Sequence, residues 1–315
     1  MNIREADRLL RENVAKVMVG CEDAVDLIFI AMLVKGHALL EDVPGTGKTM
    51  LARSVARSLN LDFKRIQFTP DLLPSDILGI NYYNQKNSEF EFRRGPIFTS
   101  LILADEINRA APRTQAAMLE AMEEKQVSID GTTYPLSDPF LVIATQNPVE
   151  NSGTYPLPEA QIDRFTLCIH LGYLSREDEM KMVKAHSVFN PIETLESIMD
   201  ANTIRDLGRQ WQDVRISDDV YDYLLQIVNK TRNHENIALG ISPRATLTMV
   251  KCLKVYARMQ DRDYVIPDDI KKLCTPVFAH RLILKGFTYT TEQNAEGILN
   301  EIIRECIVPT EDFNR

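Results

Sequence analysis

The 315-residue sequence lacks a surplus of positive charge: 36 lysines and arginines stand against 45 aspartates and glutamates, for a net charge of −9. A dedicated nucleic-acid binder usually carries a basic excess, so that class is not expected, although a local basic patch stays open. Cysteine is scarce, with five scattered at Cys21, Cys168, Cys252, Cys274 and Cys306. Their odd number and the absence of metal-ligand spacing predict reduced, mostly buried thiols, as in a cytosolic protein. The five histidines are equally dispersed and suggest no zinc site. Long apolar runs are missing too. The longest, Ala24 to Val34, contains Asp26 and is far short of the ~20 residues that cross a bilayer. The start, Met1-Asn2-Ile3-Arg4-Glu5, is charged and holds no signal-peptide core, so a cytoplasmic chain with no membrane segment is expected. Neither an internal repeat nor a low-complexity tract is found, and the length leaves room for two domains.

What is present begins with Glu41-Asp42-Val43-Pro44-Gly45-Thr46-Gly47-Lys48-Thr49, a phosphate-binding loop with Asp42 where the usual pattern has its leading glycine. Gly45 and Gly47 let the backbone curl so that successive N–H groups face phosphate oxygens. Lys48 is placed to reach the β- and γ-phosphates, and the Thr49 hydroxyl to ligate Mg²⁺. Pro44, Gly45, Thr46, Gly47, Lys48, Thr49 and Met50 are therefore candidate nucleotide contacts. Downstream, the apolar run Leu101-Ile102-Leu103-Ala104 ends in Asp105-Glu106. Asp105 suits a water-mediated hold on Mg²⁺, and Glu106 suits a base that orients and polarises an attacking water. The two segments occur in the right order, each with an apolar strand. Together they point to a nucleoside triphosphate and its hydrolysis.

The first half alternates strand-like and helix-like segments, the pattern of a parallel sheet with crossover helices. Strands are predicted at Ala38–Glu41, Phe63–Phe68, Leu101–Asp105, Phe140–Thr145 and Thr166–Leu171, several of them apolar throughout, as strands buried on both faces must be. Leu51, Val55 and Leu59 give the helix after the loop one apolar stripe. Two insertions read as hairpins: Asn81 to Phe92, and Val127 to Tyr134 with Asp130-Gly131 favouring a type I′ turn. They are surface decoration or projections that touch a substrate or a neighbouring subunit. From about Ser175 strand signals mostly disappear, and helices are predicted near 176–188, 200–211, 217–233, 243–260, 267–283 and 291–306. The expected architecture is an α/β domain over 1–174 followed by an all-helical lid over 175–315.

A phosphate-loop fold with a helical lid resembles the AAA+ ATPases, whose core is a five-stranded parallel sheet. The resemblance implies roles for further residues. Ala144-Thr145-Gln146-Asn147-Pro148 is similar to the family's sensor-1 strand, with Asn147 holding the attacking water. In Leu157-Pro158-Glu159-Ala160-Gln161-Ile162-Asp163-Arg164-Phe165, Arg164 matches the arginine that enters a neighbouring subunit's site, where a guanidinium stabilises charge on the transferring phosphoryl group. Arg244, in Gly240-Ile241-Ser242-Pro243-Arg244-Ala245, sits in the first turn of a helix, where a cation opposes the helix dipole unless an anion compensates. It fits the sensor-2 arginine, acting in its own site or in a neighbour's. Val19 and Gly20, in Val17-Met18-Val19-Gly20-Cys21-Glu22, match the segment whose backbone reads adenine. Arg109 could face a subunit boundary or simply pair with an acid. Gln67 ends the second strand, where a polar residue could regulate the catalytic glutamate, though an ordinary strand-end glutamine is the plainer account.

The loop, Asp105-Glu106-Ile107-Asn108-Arg109-Ala110, Ala144 to Pro148, Pro158 to Phe165 and Ser242-Pro243-Arg244-Ala245 together resemble the MoxR family of bacterial AAA+ ATPases, from about Val17 to the end of the lid. Asp42 is compatible with that family's looser loop. The resemblance implies ATP and Mg²⁺ as ligands, a ring of six subunits, and a chaperone that matures or activates a client complex, with von Willebrand factor A partners. Two alternatives stay open: a nucleic-acid motor, disfavoured by hairpin tips that carry Asp130 and mix Lys86 with Glu89 and Glu91, and a non-catalytic nucleotide switch, disfavoured by intact Lys48, Asp105, Glu106 and Arg164.

Overall fold

The computed structural model describes residues 1–43, 45–147, 154–186, 191–285 and 294–309. Helices α1 (Ile3–Val14) and α2 (Glu22–Leu33) precede strand β1 (Ala38–Glu41). Helix α3 (Lys48–Ser58) leads to β2 (Phe63–Gln67), the short α4 (Pro74–Leu78) and the hairpin of β3 (Gly79–Asn84) and β4 (Glu89–Arg94). Then follow β5 (Leu101–Asp105), α5 (Pro112–Glu124), the hairpin of β6 (Gln126–Ile129) and β7 (Thr132–Pro135), β8 (Leu141–Gln146), α6 (Glu159–Ile162) and β9 (Leu167–Ile169). The second half holds α7 (Arg176–His186), α8 (Ala201–Leu207), α9 (Asp218–Asn233), β10 (Ile237–Leu239), α10 (Pro243–Met259), α11 (Pro267–Phe278), β11 (Ile283–Leu284) and α12 (Ala295–Glu305).

The predicted five-stranded parallel sheet forms, in the order β2-β5-β8-β1-β9. Strands β1, β5, β8 and β9 are buried on both faces, whereas β2 at the edge exposes Lys64, Arg65 and Gln67, and the period of two divides the buried residues between two cores. Leu40, Leu101, Leu103, Leu141, Ile143 and Leu167 face α1, α2, α3 and the lid helices, while Leu39, Ile102, Ala104, Val142 and Ala144 face α5. All strands are parallel, so β1, β5 and β8 end on one edge. That is where open α/β sheets bind ligands.

Both hairpins are present. Asp130 and Gly131 have φ of 48° and 80°, the left-handed pair that a type I′ turn requires. The hairpins lean on each other: Phe92 stacks on Tyr134 with centroids 4.4 Å apart, and Asn81 Nδ2 donates to Asp130 Oδ2 at 2.7 Å. Beyond that contact the first hairpin exposes Phe90 (75%) and Tyr83 (52%).

The second half is helical apart from the small antiparallel ribbon of β10 and β11. Its helices share one core with α1 and α2, so the lid packs across the back of the sheet domain. Two helices end earlier than their predicted limits. Helix α8 stops at Leu207, and the segment after α11 tightens into a turn over Ala279–Arg281. There the buried Arg281 guanidinium reaches Asp163 Oδ1 at 2.8 Å and the Thr166 carbonyl at 3.2 Å, which a continuing helix would not allow. The helix predicted near 291–306 is α12, with 291–293 outside the described residues. Among the described residues no helix is long and apolar enough to cross a membrane.

His37, at the foot of β1, pins the sheet to α5. The Val142 N–H donates to its Nδ1 at 3.0 Å, and its Nε2 bonds the Met122 carbonyl at 3.0 Å. Accepting at Nδ1 requires the neutral ring, and burial lowers the pKa from 6.5 to about 4. In that interval the unfolded imidazole takes up a proton that the folded one refuses, so stability falls as the pH drops through it. Denaturant titrations from pH 7 to pH 4 should show up to about 3 kcal/mol of loss from this site. His37→Gln should flatten the slope relative to wild type; an identical slope would refute the assignment.

Candidate active site

The phosphate loop leaves β1 through Asp42, whose Oδ2 accepts from the Leu171 and Gly172 N–H groups at 3.1 and 3.0 Å while Oδ1 accepts from Val43 N–H at 2.8 Å. Aspartate in place of glycine thus ties the start of the loop to the end of β9. Gly45 and Gly47 both have φ of 87°, the left-handed region a side chain disfavours. Helix α3 then begins with no side-chain cap and no acid in its first turn, so its first N–H groups stay available to an anion. The Lys48 ammonium rests on the Asp42 carbonyl at 2.6 Å. Burial lowers its pKa, opposed by the nearby charges of Asp42, Asp105 and Glu106.

Gly45, Gly47, Lys48, Thr49 and Met50 line a cleft of about 450 Å³ together with Asp105, Glu106, Thr145, Gln146 and Asn147. Asn147 is buried there at the end of β8. An adjoining apolar cleft of about 330 Å³ shares Gly45, Gly47 and Met50 and is walled by Val17, Met18, Val19, Gly20, Thr46 and Tyr173. An uncapped helix start, a lysine, a hydroxyl and two carboxylates are the donor set that a triphosphate and a divalent cation need, and the apolar cleft beside them suits a base. Pro44 lies outside the described residues.

The two acids are held by Thr145 and Arg65, which the sequence reading did not single out, and by Gln67 and Arg109, which it did. Thr145 Oγ1 donates to Asp105 Oδ1 at 2.7 Å and accepts from the Glu106 N–H at 2.8 Å. Glu106 itself adopts φ 57° and ψ 51°, a left-handed conformation that costs a non-glycine residue about 1 kcal/mol or more. Its carboxylate accepts from Gln67 Nε2 at 2.8 Å and pairs with Arg109 Nε at 3.0 Å. Gln67 is therefore in contact with the glutamate, and Arg109 pairs with an acid. Arg65 Nη2 lies 2.6 Å from Asp105 Oδ2 and 2.5 Å from Gln67 Oε1. A chain of side chains runs from Arg65 through Gln67 to Glu106. Only Gln67 had a positional signal; Arg65 reads as one more charge on a half-exposed strand.

Arg164 and Arg244 are brought together, but away from this cleft. Both pair with Glu123 near the end of α5, at 3.1 and 3.0 Å. Glu123 lies eleven residues beyond Pro112 in α5, roughly 16 Å along the axis at 1.5 Å per residue. Their relative position is fixed by Asp163, which binds the buried Arg281 and, at 3.4 Å, the Ser242 hydroxyl that caps α10.

The family model of the ATPase family associated with various cellular activities (AAA) matches residues 37–167, and that of the AAA lid domain matches 229–304. The chain is 49% identical to the uncharacterized protein YeaC of Bacillus subtilis over 95% of its length and 94% of that protein's. It is 39% identical to Chaperone MoxR1 of Mycobacterium tuberculosis, covering 94% of this chain and 80% of that one. A Cytophaga hutchinsonii crystal structure described as that of a candidate ATPase is 40% identical, with a TM-score of 0.89 over 98% of this chain and 96% of the other.

Thr145→Val removes one hydroxyl from between the two acids and leaves the Glu106 N–H without its acceptor. An unsatisfied buried donor costs about 1–3 kcal/mol. The variant should lose that much in denaturant melts; wild-type stability would show that the hydroxyl is not needed to hold the turn.

Proposed function

The chain belongs to the MoxR family of AAA+ ATPases, and from that premise we propose that it hydrolyses ATP at the interfaces of a subunit ring and uses the cycle to remodel a protein client. The observation that carries the proposal is the separation of two half-sites. One holds Lys48, Thr49, Asp105, Glu106 and Asn147; the other holds Arg164 and Arg244, parked on Glu123. A guanidinium at the far end of α5 does not reach its own chain's cleft. Two arginines sharing one exposed carboxylate are instead poised to exchange it for a neighbour's phosphate. Arg244 then acts in trans, beside Arg164.

Within one chain Lys48 leaves the Asp42 carbonyl to meet the β- and γ-phosphates, and the N–H groups at the start of α3 meet the same oxygens. Thr49 and Asp105 are the residues that would hold Mg²⁺. The ion, when bound, neutralises charge on the β- and γ-phosphate oxygens. Glu106 orients the attacking water and accepts its proton, Asn147 fixes that water from the β8 side, and Val19 and Gly20 offer backbone groups to adenine. Gln67 and Arg109 hold the glutamate carboxylate until the site is complete.

A protein client is supported by the exposed Tyr83 and Phe90 on the first hairpin, with centroids 5.4 Å apart, beside an acidic second tip. A phosphate backbone would favour basic tips instead. A ring of six subunits, a von Willebrand factor A partner and a cytoplasmic setting complete the proposal.

Lys48→Ala should abolish nucleotide binding. Glu106→Gln should bind ATP without releasing ADP. Arg164→Ala should bind normally yet turn over about 10³-fold more slowly, as for an arginine that stabilises the transferring phosphoryl group. The decisive experiment mixes Lys48→Ala with Arg164→Ala subunits. Each pairs an intact half-site with a broken one, so mixed rings should recover ATPase activity that neither has alone. No recovery in rings shown by sizing to be mixed would overturn the trans assignment.

A further inference from the structure

On the edge of the sheet opposite β2, three potential metal ligands from β1 and β9 converge, and a fourth from α12 stands beside one of them. Cys168 and His170 alternate along β9 and share a face. Strand β1 pairs with β9 in parallel, Leu39 opposite Cys168 and Leu40 opposite Ile169, which brings Glu41 alongside His170. Glu296 arrives from the first turn of α12. Ligand atoms of Glu41, Cys168 and His170 all lie within 4.8 Å of one another. His170 Nε2 is 3.8 Å from Cys168 Sγ and 3.7 Å from Glu296 Oε1.

The proton on this imidazole is fixed by geometry. His170 Nδ1 lies 2.8 Å from the Glu41 carbonyl oxygen, a partner that can only accept, so Nδ1 carries the hydrogen. In the neutral ring Nε2 then holds the lone pair and faces the thiol and the carboxylate. Metal-ligating histidines show this arrangement, donating the other N–H to a carbonyl. Hydrogen bonds account for the contacts of Cys168 with His170 and Glu41, but not for the approach of Glu296. At 3.7 Å the His170–Glu296 pair is beyond a direct N···O bond. Two donors bound tetrahedrally at ~2.0–2.3 Å from one ion stand ~3.3–3.8 Å apart, the spacing seen from His170 Nε2 to Cys168 Sγ and to Glu296 Oε1.

We propose that Glu41, Cys168, His170 and Glu296 form a binding site for a transition-metal ion of the zinc class, which fastens the last helix of the lid to the sheet edge. Thiolate and imidazole ligands select against Mg²⁺, which takes oxygen ligands, so the site does not duplicate the one at Asp105. Burial keeps the Cys168 thiol protonated well above its ordinary range, which makes it a poor free nucleophile; coordination deprotonates such a thiol outright. His170 and Glu296 are 52% and 43% exposed at their side chains and leave a path of entry. Glu41 directly precedes Asp42 and the phosphate loop, so the ion would link that loop's anchor to α12.

The test uses metal-free full-length protein titrated with Co²⁺ as a spectroscopic substitute for zinc. Wild type should show a near-ultraviolet thiolate-to-cobalt band with the visible bands of a tetrahedral ion, both displaced by Zn²⁺. Cys168→Ser should lose the thiolate band, and retention of that band would assign it to another cysteine and overturn the site. His170→Ala and Glu296→Gln replace exposed side chains and do not threaten the fold. Each should weaken Zn²⁺ binding about tenfold or more and shrink the rise in thermal midpoint that zinc gives wild type. Absence of a thiolate band in wild type, or unchanged zinc affinity in both exposed variants, would refute the proposal.

Discussion

The placement of the two acids at the cleft turns on one hydroxyl. The parallel pairing of β5 with β8 sets Ala104 opposite Ala144, and one step further Thr145 meets Asp105 and Glu106. Its Oγ1 satisfies the carboxylate on one side and the backbone N–H on the other. That pair of bonds holds Glu106 in a left-handed conformation and turns two consecutive residues to different tasks. Strand residues alternate between faces, so without the turn the two acids would point apart. Strands β5 and β8, buried and each paired on both sides, are rigid enough to store that strain.

The same economy governs the arginines. A lone guanidinium near the end of α5 would be drawn to whichever acid is at hand, and Glu123 takes two of them. At partly exposed positions each pair is worth less than about 1 kcal/mol, so the arrangement is easily exchanged for a phosphate. Asp163 supplies the firmness, bridging the buried Arg281 and the cap of α10. Asp163 thus joins the start of α10 to the turn that carries Arg164.

Most of the five strands were legible because they are apolar runs, and the loop because glycine and lysine occupy positions that little else can fill. The Asp-Gly turn of the second hairpin was legible for the same reason. What stayed hidden depends on contacts between distant residues. Thr145 looks like any strand threonine until β5 lies beside it, and Arg65 like a solvated charge until Asp105 does. The shortened end of α11 follows from a buried bond between Arg281 and Asp163, far apart in sequence. Cys168 and His170 gave no metal signal because their companions, Glu41 and Glu296, come from β1 and α12. Dispersal along the chain concealed a cluster in space.

The central claim is that a single chain holds only half of its active site. ATPase rate per subunit, measured across a dilution series with molecular mass followed in parallel and Glu106→Gln as the blank, tests it most directly. The account predicts a specific activity that rises with assembly and vanishes in monomeric fractions. A monomer that hydrolyses ATP at the same specific rate as the assembled form would contradict it.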